Sequence, residues 1–397
     1  MKLLFWIALF IVVYTFVGYG VVLFVLTRLK RLFSGKRQEV NIMDKADWPD
    51  ITVLIAAYNE KDDILEKLDN TLGLDYPKNK LHILFVTDGS DDGTPEILQS
   101  RATEQIIIEH SPERKGKIAA VDRVMSIVQT PIVIYTDANT FLNKDALKNM
   151  VRHFDDENVG AVAGEKRIEQ NDSDHAAGAG EGFYWKYESL LKKWDDELVS
   201  VVGAAGELFA IRTNLYKPVS PDTIIEDFVM TVGISLAGNR VAYEPNAYAT
   251  ERSSANTKEE KKRKVRIAAG GIQAISRMPG AFNFFKHFWL SFAFISHRVL
   301  RWTITPFALI FVFFANLYLW FNTDSTIYSL LMYGQFAFYL LALVGWVFES
   351  RQMRIKIFFV PYYFCMMNIS VIQGIFRHLK GSQSVVWERA KRAEKAV

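Results

Sequence analysis

Long apolar runs at the two ends of the chain bracket a middle in which short apolar runs alternate with polar segments. No charged residue falls between Leu3 and Thr27, a run of about 25 residues where roughly 20 suffice to cross the hydrocarbon core. It predicts an uncleaved spanning helix rather than a signal peptide, because Val22-Leu23-Phe24-Val25-Leu26 offers no small-residue cleavage site. Arg28, Lys30, Arg31, Lys36 and Arg37 follow, which by the positive-inside rule places this flank in the cytoplasm and the N-terminus outside. Trp302 to Phe321 and Ile327 to Phe348 are again apolar and are parted by the turn Asn322-Thr323-Asp324-Ser325. They read as a helical hairpin whose ends are cytoplasmic, since Arg298 and Arg301 precede it and Arg351, Arg354 and Lys356 follow it. Ile357 to Phe376 is interrupted by Pro361, Asn368 and Gln373 and leads into a basic tail. That pattern predicts a re-entrant or interfacial element returning to the cytoplasm, with irregular backbone covered by protein. Phe282 to Ile295 interleaves Phe, Trp, Lys and His and reads as an amphipathic helix in the interface, or as an early start of the next span.

Between about residues 50 and 255 the period shortens to β-rich runs alternating with helical segments, the pattern of an α/β sheet built from βαβ units. The strand candidates are Ile51–Ile55, His82–Val86, Gln105–Ile108 and Pro131–Tyr135. The first, second and fourth run into Tyr58-Asn59-Glu60, Asp88-Gly89-Ser90 and Asp137-Ala138-Asn139. Ligands of open α/β sheets bind outside the carboxyl ends of the strands, so these turns are the candidate site.

Composition adds room and removes classes. With 397 residues, half of them hydrophobic and 14% aromatic, the chain holds a large catalytic domain plus several spans and is not disordered. A net charge of only +3, without local clustering in the middle of the chain, argues against nucleic acid as a partner. Cys365, the single cysteine, reads as a small buried hydrophobe, which leaves no disulfide framework and no cysteine zinc site.

Each candidate also has a plainer reading. Asp88 to Thr94 suits a turn with a helix cap as well as a ligand loop. Asp137 and Asn139, spaced by one residue, can hold a hard divalent cation against a diphosphate, or can cap a helix. Lys115-Gly116-Lys117 opens a helical segment, where a lysine and free N–H groups receive phosphate, unless it is a solvated basic turn. Glu226-Asp227 precedes an apolar helical run. One carboxylate is then a general base for an acceptor hydroxyl, or both simply answer the helix dipole. Lys261, Lys262, Arg263, Lys264 and Arg266 form a diphosphate clamp, a solvated face or a membrane-surface patch.

In their order and spacing these motifs resemble family 2 of the inverting glycosyltransferases, the group containing cellulose, hyaluronan and poly-N-acetylglucosamine synthases. The resemblance spans almost the whole chain. It implies a GT-A type nucleotide-sugar-binding domain over residues 30–280, an N-terminal transmembrane helix over 1–29, an interfacial helix over 281–301, a C-terminal membrane region over 302–376 and a basic cytoplasmic tail over 377–397. It implies donor contacts from Tyr58, Glu60, Asp88, Lys117 (with Gly116, Ala119 and Ala120), Asp137, Arg263 and Arg266. Asp137 and Asn139 fall at the family's metal position, for Mg²⁺ or Mn²⁺. Gly206 and Glu207 lie in the acceptor-side segment Gly203–Glu207, Glu226-Asp227 matches the Thr-Glu-Asp motif with Asp227 as base, and Trp387 and Arg389 match a gating tail. Two positions depart from the pattern: Asn139 stands for the second metal carboxylate, and Arg263-Lys264-Val265-Arg266 stands where processive members carry Gln-X-X-Arg-Trp.

The expected activity is that of a multi-pass transferase of the plasma or inner membrane with its catalytic domain in the cytoplasm. It moves a hexosyl or N-acetylhexosaminyl group from a nucleotide-sugar donor, a UDP-sugar, with inversion onto a growing polysaccharide. Transfer of one sugar to a lipid acceptor is the nearest rival. A catalytically inactive nucleotide-binding subunit is the alternative from another class, against which the intact Asp88, Asp137 and Asp227 weigh.

Overall fold

The computed structural model describes residues 1–34, 47–169, 177–252, 254, 256–351, 353 and 355–381, with the backbone alone at 34 and 177–184. Trp387 and Arg389 lie outside the described residues. Among the described residues four helices are long and apolar enough to cross a membrane: Lys2–Phe33, Ile304–Asn322, Thr326–Ser350 and Lys356–Leu379.

Between them lies an α/β domain on an eight-stranded sheet. The strands are β1 (Ile51–Ala57), β2 (Leu81–Asp88), β3 (Ile106–Ser111), β4 (Ile132–Asp137), β5 (Thr140–Leu142), β6 (Val159–Ile168), β7 (Leu208–Arg212) and β8 (Arg240–Glu251). Their spatial order is β3-β2-β1-β4-β7-β6-β8-β5. From β3 to β4 the neighbours are parallel; β7 is antiparallel to both β4 and β6. Strands covered on both faces need apolar residues throughout, and all seven residues of β1 are buried. Ile51, Val53 and Ile55 face one core, against the helices Ile64–Leu72 and Ala146–Val151; Leu54 and Ala56 face the other, against Lys117–Met125 and Glu226–Leu236. The chain runs from β1 outward to β3 and then returns to the other side of β1. The carboxyl ends of β1 and β4 therefore flank a topological switch point, where open sheets leave a crevice.

The first apolar helix serves two layers. Phe5 meets Tyr328 with ring centroids 5.6 Å apart, and the Thr15 and Thr305 hydroxyls hydrogen-bond at 2.9 Å, so this helix runs antiparallel to Ile304–Asn322. Past a π turn at Tyr14–Gly18 it lies along the helix Ala177–Leu198 of the α/β domain. There Tyr187 donates to the Phe16 carbonyl at 2.7 Å and Lys30 donates to the carbonyls of Glu197 and Leu198. Polar groups in apolar helices find partners in this way: Asn316 donates to Gln335 at 2.9 Å across the hairpin.

Residues 357–376 depart from the irregular backbone expected of them. They form one unbroken helix, Lys356–Leu379, that continues through Pro361. Helical hydrogen bonding within the segment meets the backbone's needs despite the proline, so no covering loop is required. The helix crosses Thr326–Ser350 near Gly345 and Phe358 and then packs on Thr257–Arg277, where Gly374 meets Val265 and Ala268. The segment 282–295 contains the helical run Phe284–Ala293, kinked at His287, with Phe285 fully exposed and Ser291 and Ala293 buried.

Candidate active site

The turns after β1 and β2 are stitched together by their polar residues. Asn59 adopts a positive φ of 53°, a conformation asparagine tolerates better than most residues. Its side chain donates to Asp91 Oδ1 at 2.8 Å and accepts from the Asp91 N–H. Asp92 accepts from the N–H of Thr94, and the Thr94 hydroxyl in turn accepts from the N–H of Glu60. Asp91 and Asp92 thus take the structural reading of this loop. Asp88 differs: its Oδ2 accepts from the N–H groups of Lys115 and Gly116 at 2.9 and 2.6 Å, while Oδ1 is buried without a hydrogen-bond partner. Asp88, Tyr58, Gly116 and Lys117 line a small pocket, with the Arg114 guanidinium 3.6 Å over the Tyr58 ring.

Beside it opens a cavity of about 560 Å³. Lys117, at the start of its helix, reaches Asp137 Oδ1 and Glu226 Oε1, both at 2.9 Å. Burial opposes the ammonium charge, but Asp137 and Glu226 outweigh it and hold the pKa above its ordinary value. Asp137, the last residue of β4, is raised by burial against the pull of Lys117. Asn139 also lines the cavity, and its Oδ1 is buried without a hydrogen-bond partner. Under this turn, fully buried Lys67 donates to Thr136 Oγ1 at 2.9 Å and to the Thr140 carbonyl at 2.6 Å.

Adjacent Glu226 and Asp227 open the helix Glu226–Leu236, and their pKa values shift in opposite directions. Glu226 is half-buried, yet Lys117 outweighs the loss of solvent and lowers its pKa. Asp227 is pushed up to about 7, first by burial and then by the Glu226 carboxylate, against the pull of Lys117. Gly206 faces it: a Cβ there would sit 3.4 Å from Asp227 Oδ2 and 3.7 Å from Lys117 Nζ. Glu207 pairs with Lys166, which also binds Glu251, and Arg263 lies 3.9 and 3.7 Å from the same two carboxylates. Lys166 and Arg263 outweigh burial and hold Glu207 below the usual carboxylate range. Arg266 donates weakly to the Ile224 carbonyl at 3.5 Å, and its buried Nε has no hydrogen-bond partner.

Glu60, Lys117, Asp137, Asn139, Gly206, Glu207, Glu226, Asp227, Arg263 and Arg266 are thus gathered on one cavity, with Tyr58 and Asp88 in the adjoining pocket. Sequence reasoning missed other residues of the site. Trp185 and Glu251, in the cavity wall, and Lys166, fully buried between Glu207 and Glu251, carried no motif. Arg298, Arg301 and Arg377 were visible only as charges flanking apolar runs, and the structure puts all three in the cavity wall. Arg298 and Arg301 reach Glu188 at 2.8 and 2.9 Å, beside His297, which lies 3.1 Å from Asp195.

Known proteins resemble this chain in sequence and fold. Residues 52–217 match the family described as Glycosyl transferase family 2, which makes this region a domain of that family. A poly-beta-1,6-N-acetyl-D-glucosamine synthase of Staphylococcus aureus is 29% identical over 266 residues, 65% of this chain and 62% of that protein. The match thus spans less than two thirds of such relatives' length. A beta-monoglucosyldiacylglycerol synthase of Trichormus variabilis is 30% identical over 167 residues, 40% of this chain and 34% of that protein. Among solved structures, a mannosyltransferase from Pyrobaculum calidifontis in complex with GDP-Man and Mn²⁺ superposes with a TM-score of 0.69 at 23% identity, over 96% of this chain and 100% of that one.

Proposed function

We propose that the family 2 glycosyltransferase domain of this chain moves a sugar from a nucleotide-sugar donor onto an acceptor hydroxyl, with inversion, on the cytoplasmic face of a membrane that the apolar helices span. The observation that carries this reading is the pairing at residues 226 and 227. At neutral pH one carboxylate is held charged by a lysine, and its neighbour is poised to take a proton beside a glycine-lined opening. Matching a base's pKa to the working pH is what general base catalysis asks for.

The nucleoside occupies the pocket at Tyr58, where Asp88 Oδ1 accepts an N–H of the base. The diphosphate lies along Lys117, Arg263 and Arg266. Among the described residues no group of three His, Cys, Asp or Glu side chains could hold a metal. A divalent cation, Mg²⁺ or Mn²⁺, would therefore take Asp137, the unpartnered oxygen of Asn139 and oxygens of the donor itself; the mannosyltransferase of the same fold was solved with Mn²⁺. When bound, such an ion neutralises charge on the departing diphosphate. Asp227 takes the acceptor proton, the acceptor oxygen attacks the anomeric carbon opposite the diphosphate, and Lys117, Arg263 and Arg266 stabilise the leaving charge. An α-linked donor gives a β-linked product. The similarity to a poly-beta-1,6-N-acetyl-D-glucosamine synthase favours a glycan product.

Nucleoside diphosphate release by the detergent-purified protein, measured against a panel of UDP- and GDP-sugars with Mg²⁺ or Mn²⁺, tests the reading. Metal-dependent release from one donor, abolished by Asp227→Asn, is expected. Equal release by Asp227→Asn would sink the base assignment, and absence of release and of donor binding across the panel would sink the transferase reading.

A further inference from the structure

The helix Ile64–Leu72 starts in the loop that carries Glu60, whose carbonyl accepts from the N–H of Ile64 at 2.9 Å. It buries Ile64, Lys67, Leu68 and Thr71, the spacing of a stripe that faces a core and normally takes apolar residues. Lys67 breaks that stripe, and its side chain is fully buried. An amine placed there is costly unless it is hydrogen-bonded.

Its partners join two parts of the site. Lys67 Nζ donates to Thr136 Oγ1 at 2.9 Å and to the Thr140 carbonyl at 2.6 Å. Thr136 Oγ1 in turn donates to the Glu207 carbonyl at 3.0 Å, and Thr140 Oγ1 donates to the Asp137 carbonyl at 3.0 Å. The two hydroxyl oxygens lie only 3.1 Å apart. Asn70, on the same helix, exchanges two hydrogen bonds of 2.9 Å with the backbone of Leu142, so the helix grips both ends of the turn between β4 and β5. Burial pulls the Lys67 pKa down to about 7 against the attraction of Asp137. Each of its two hydrogen bonds needs one N–H, so both stand in either protonation state.

A hydroxyl has a single proton to donate. While Lys67 donates to the Thr136 oxygen, the Thr136 proton is left for Glu207 and the Thr140 proton for Asp137. Without the amine, two buried hydroxyls this close bond each other. If Thr136 donates, the Glu207 carbonyl is released; if Thr140 donates, the Asp137 carbonyl is released. Both threonines are buried, which keeps bulk water from taking the place of the amine. We infer that Lys67 is a positioning residue, which holds the turn bearing Asp137 and Asn139 and the segment bearing Gly206 and Glu207 at one spacing by directing the hydrogen bonds that Thr136 and Thr140 donate. The inference rests on the transferase reading above and adds the residue that keeps its diphosphate side and its base side in register. A displacement of about 1 Å, even one caused far from the reacting atoms, costs on the order of 10²-fold in rate.

The test uses the full detergent-purified chain and two measurements. One is the calorimetric affinity for UDP and for GDP, each with and without Mn²⁺; the other is nucleoside diphosphate release at saturating donor. Lys67→Met keeps the length of the side chain and removes its N–H groups. It should weaken nucleotide affinity in Mn²⁺ about tenfold, leave metal-free affinity in place and lower release by about 10²-fold. Thr140→Val, which frees the Asp137 carbonyl, should reproduce the affinity loss. Thr136→Val, which frees the Glu207 carbonyl, should reproduce the loss of release with affinity kept. Added to Lys67→Met, Thr136→Val should lower release little further, because groups in one hydrogen-bond network do not act independently. A folded Lys67→Met protein with unchanged affinity and release would overturn the inference, as would losses that multiply in the double variant. Equal loss of affinity with and without Mn²⁺, together with a lowered Tm, would also overturn it, since a loosened core does that. Where Lys67→Met does not fold, the threonine variants decide, and the absence of both their losses overturns the inference. Neither nucleotide binding nor release by the unaltered chain removes the transferase reading and the inference with it, whereas binding and release that ignore Lys67 remove the inference alone.

Discussion

The two walls of the cavity differ in how their charges are balanced. On the sheet side opposite charges meet within the protein: Lys117 bridges Asp137 and Glu226, and Lys166 bridges Glu207 and Glu251. On the helix side the ratio reverses: Arg298 and Arg301 share one carboxylate, Glu188, at 2.8 and 2.9 Å, beside Trp302 and Arg377. Buried charges persist only when paired, and a pair fixed before the substrate arrives costs no reorganisation during reaction. The first wall is therefore arranged to handle a proton and a leaving phosphate. The second sets two guanidiniums on one carboxylate next to the apolar helices. Within the first wall the same contrast recurs over one peptide bond: Lys117 keeps Glu226 charged, while burial and Glu226 itself raise Asp227.

The sharpest way to break this contrast is at the base. Asp227→Asn keeps shape but cannot take a proton, so turnover should fall by about 10²–10⁴-fold with little change in nucleoside diphosphate affinity, read by calorimetry. A protein that loses nucleotide binding instead would show that Asp227 supports the fold. Next, Asp137→Asn should lower turnover by about 10²–10³-fold and weaken its dependence on added Mg²⁺ or Mn²⁺; an unchanged metal titration would move the cation elsewhere. The pH profile follows. Because the Asp227 pKa is raised, the carboxylate is protonated below about 7. Here kcat/KM should rise about tenfold per pH unit up to that point and then level. A break near pH 4 would mean that burial and Glu226 do not control this group. Smallest is the effect on the helix wall. Gly374→Ala should cost about 1–3 kcal/mol by overpacking against Ala268 and Val265, seen as a lowered Tm. An unchanged Tm would deny that Gly374 sets this close approach.

The parallel half of the sheet was legible because its strands show as unbroken apolar runs, buried on both faces in β1, β2 and β4: β1, β2, β3 and β4 lie where the runs at 51, 82, 105 and 131 placed them. The other half was not. β6 carries Gly160 and Gly164, β8 carries Pro245, and β5 has only three residues, so neither period nor propensity marked them. The same split runs through the site. Tyr58, Asp88, Asp137 and Asp227 follow strands or open a helix and could be picked out from local pattern. Lys166 reaches Glu207 and Glu251 from another strand, and Lys67 supports the Asp137 turn from a helix far back in the chain.

The sequence by itself determined which segments are apolar enough to enter a membrane, where the parallel strands lie, and which turns carry carboxylates, because each of these is written in neighbouring residues. Only the tertiary structure decided that Asp227 and not Glu226 has the raised pKa, since that depends on which carboxylate a lysine about 110 residues away can reach. It likewise decided that Arg298, Arg301 and Arg377, which in the sequence merely flank apolar runs, face one cavity. Close packing at Gly271 and Gly374 brings their helices together, and such approach distances depend on distant partners that no local pattern records.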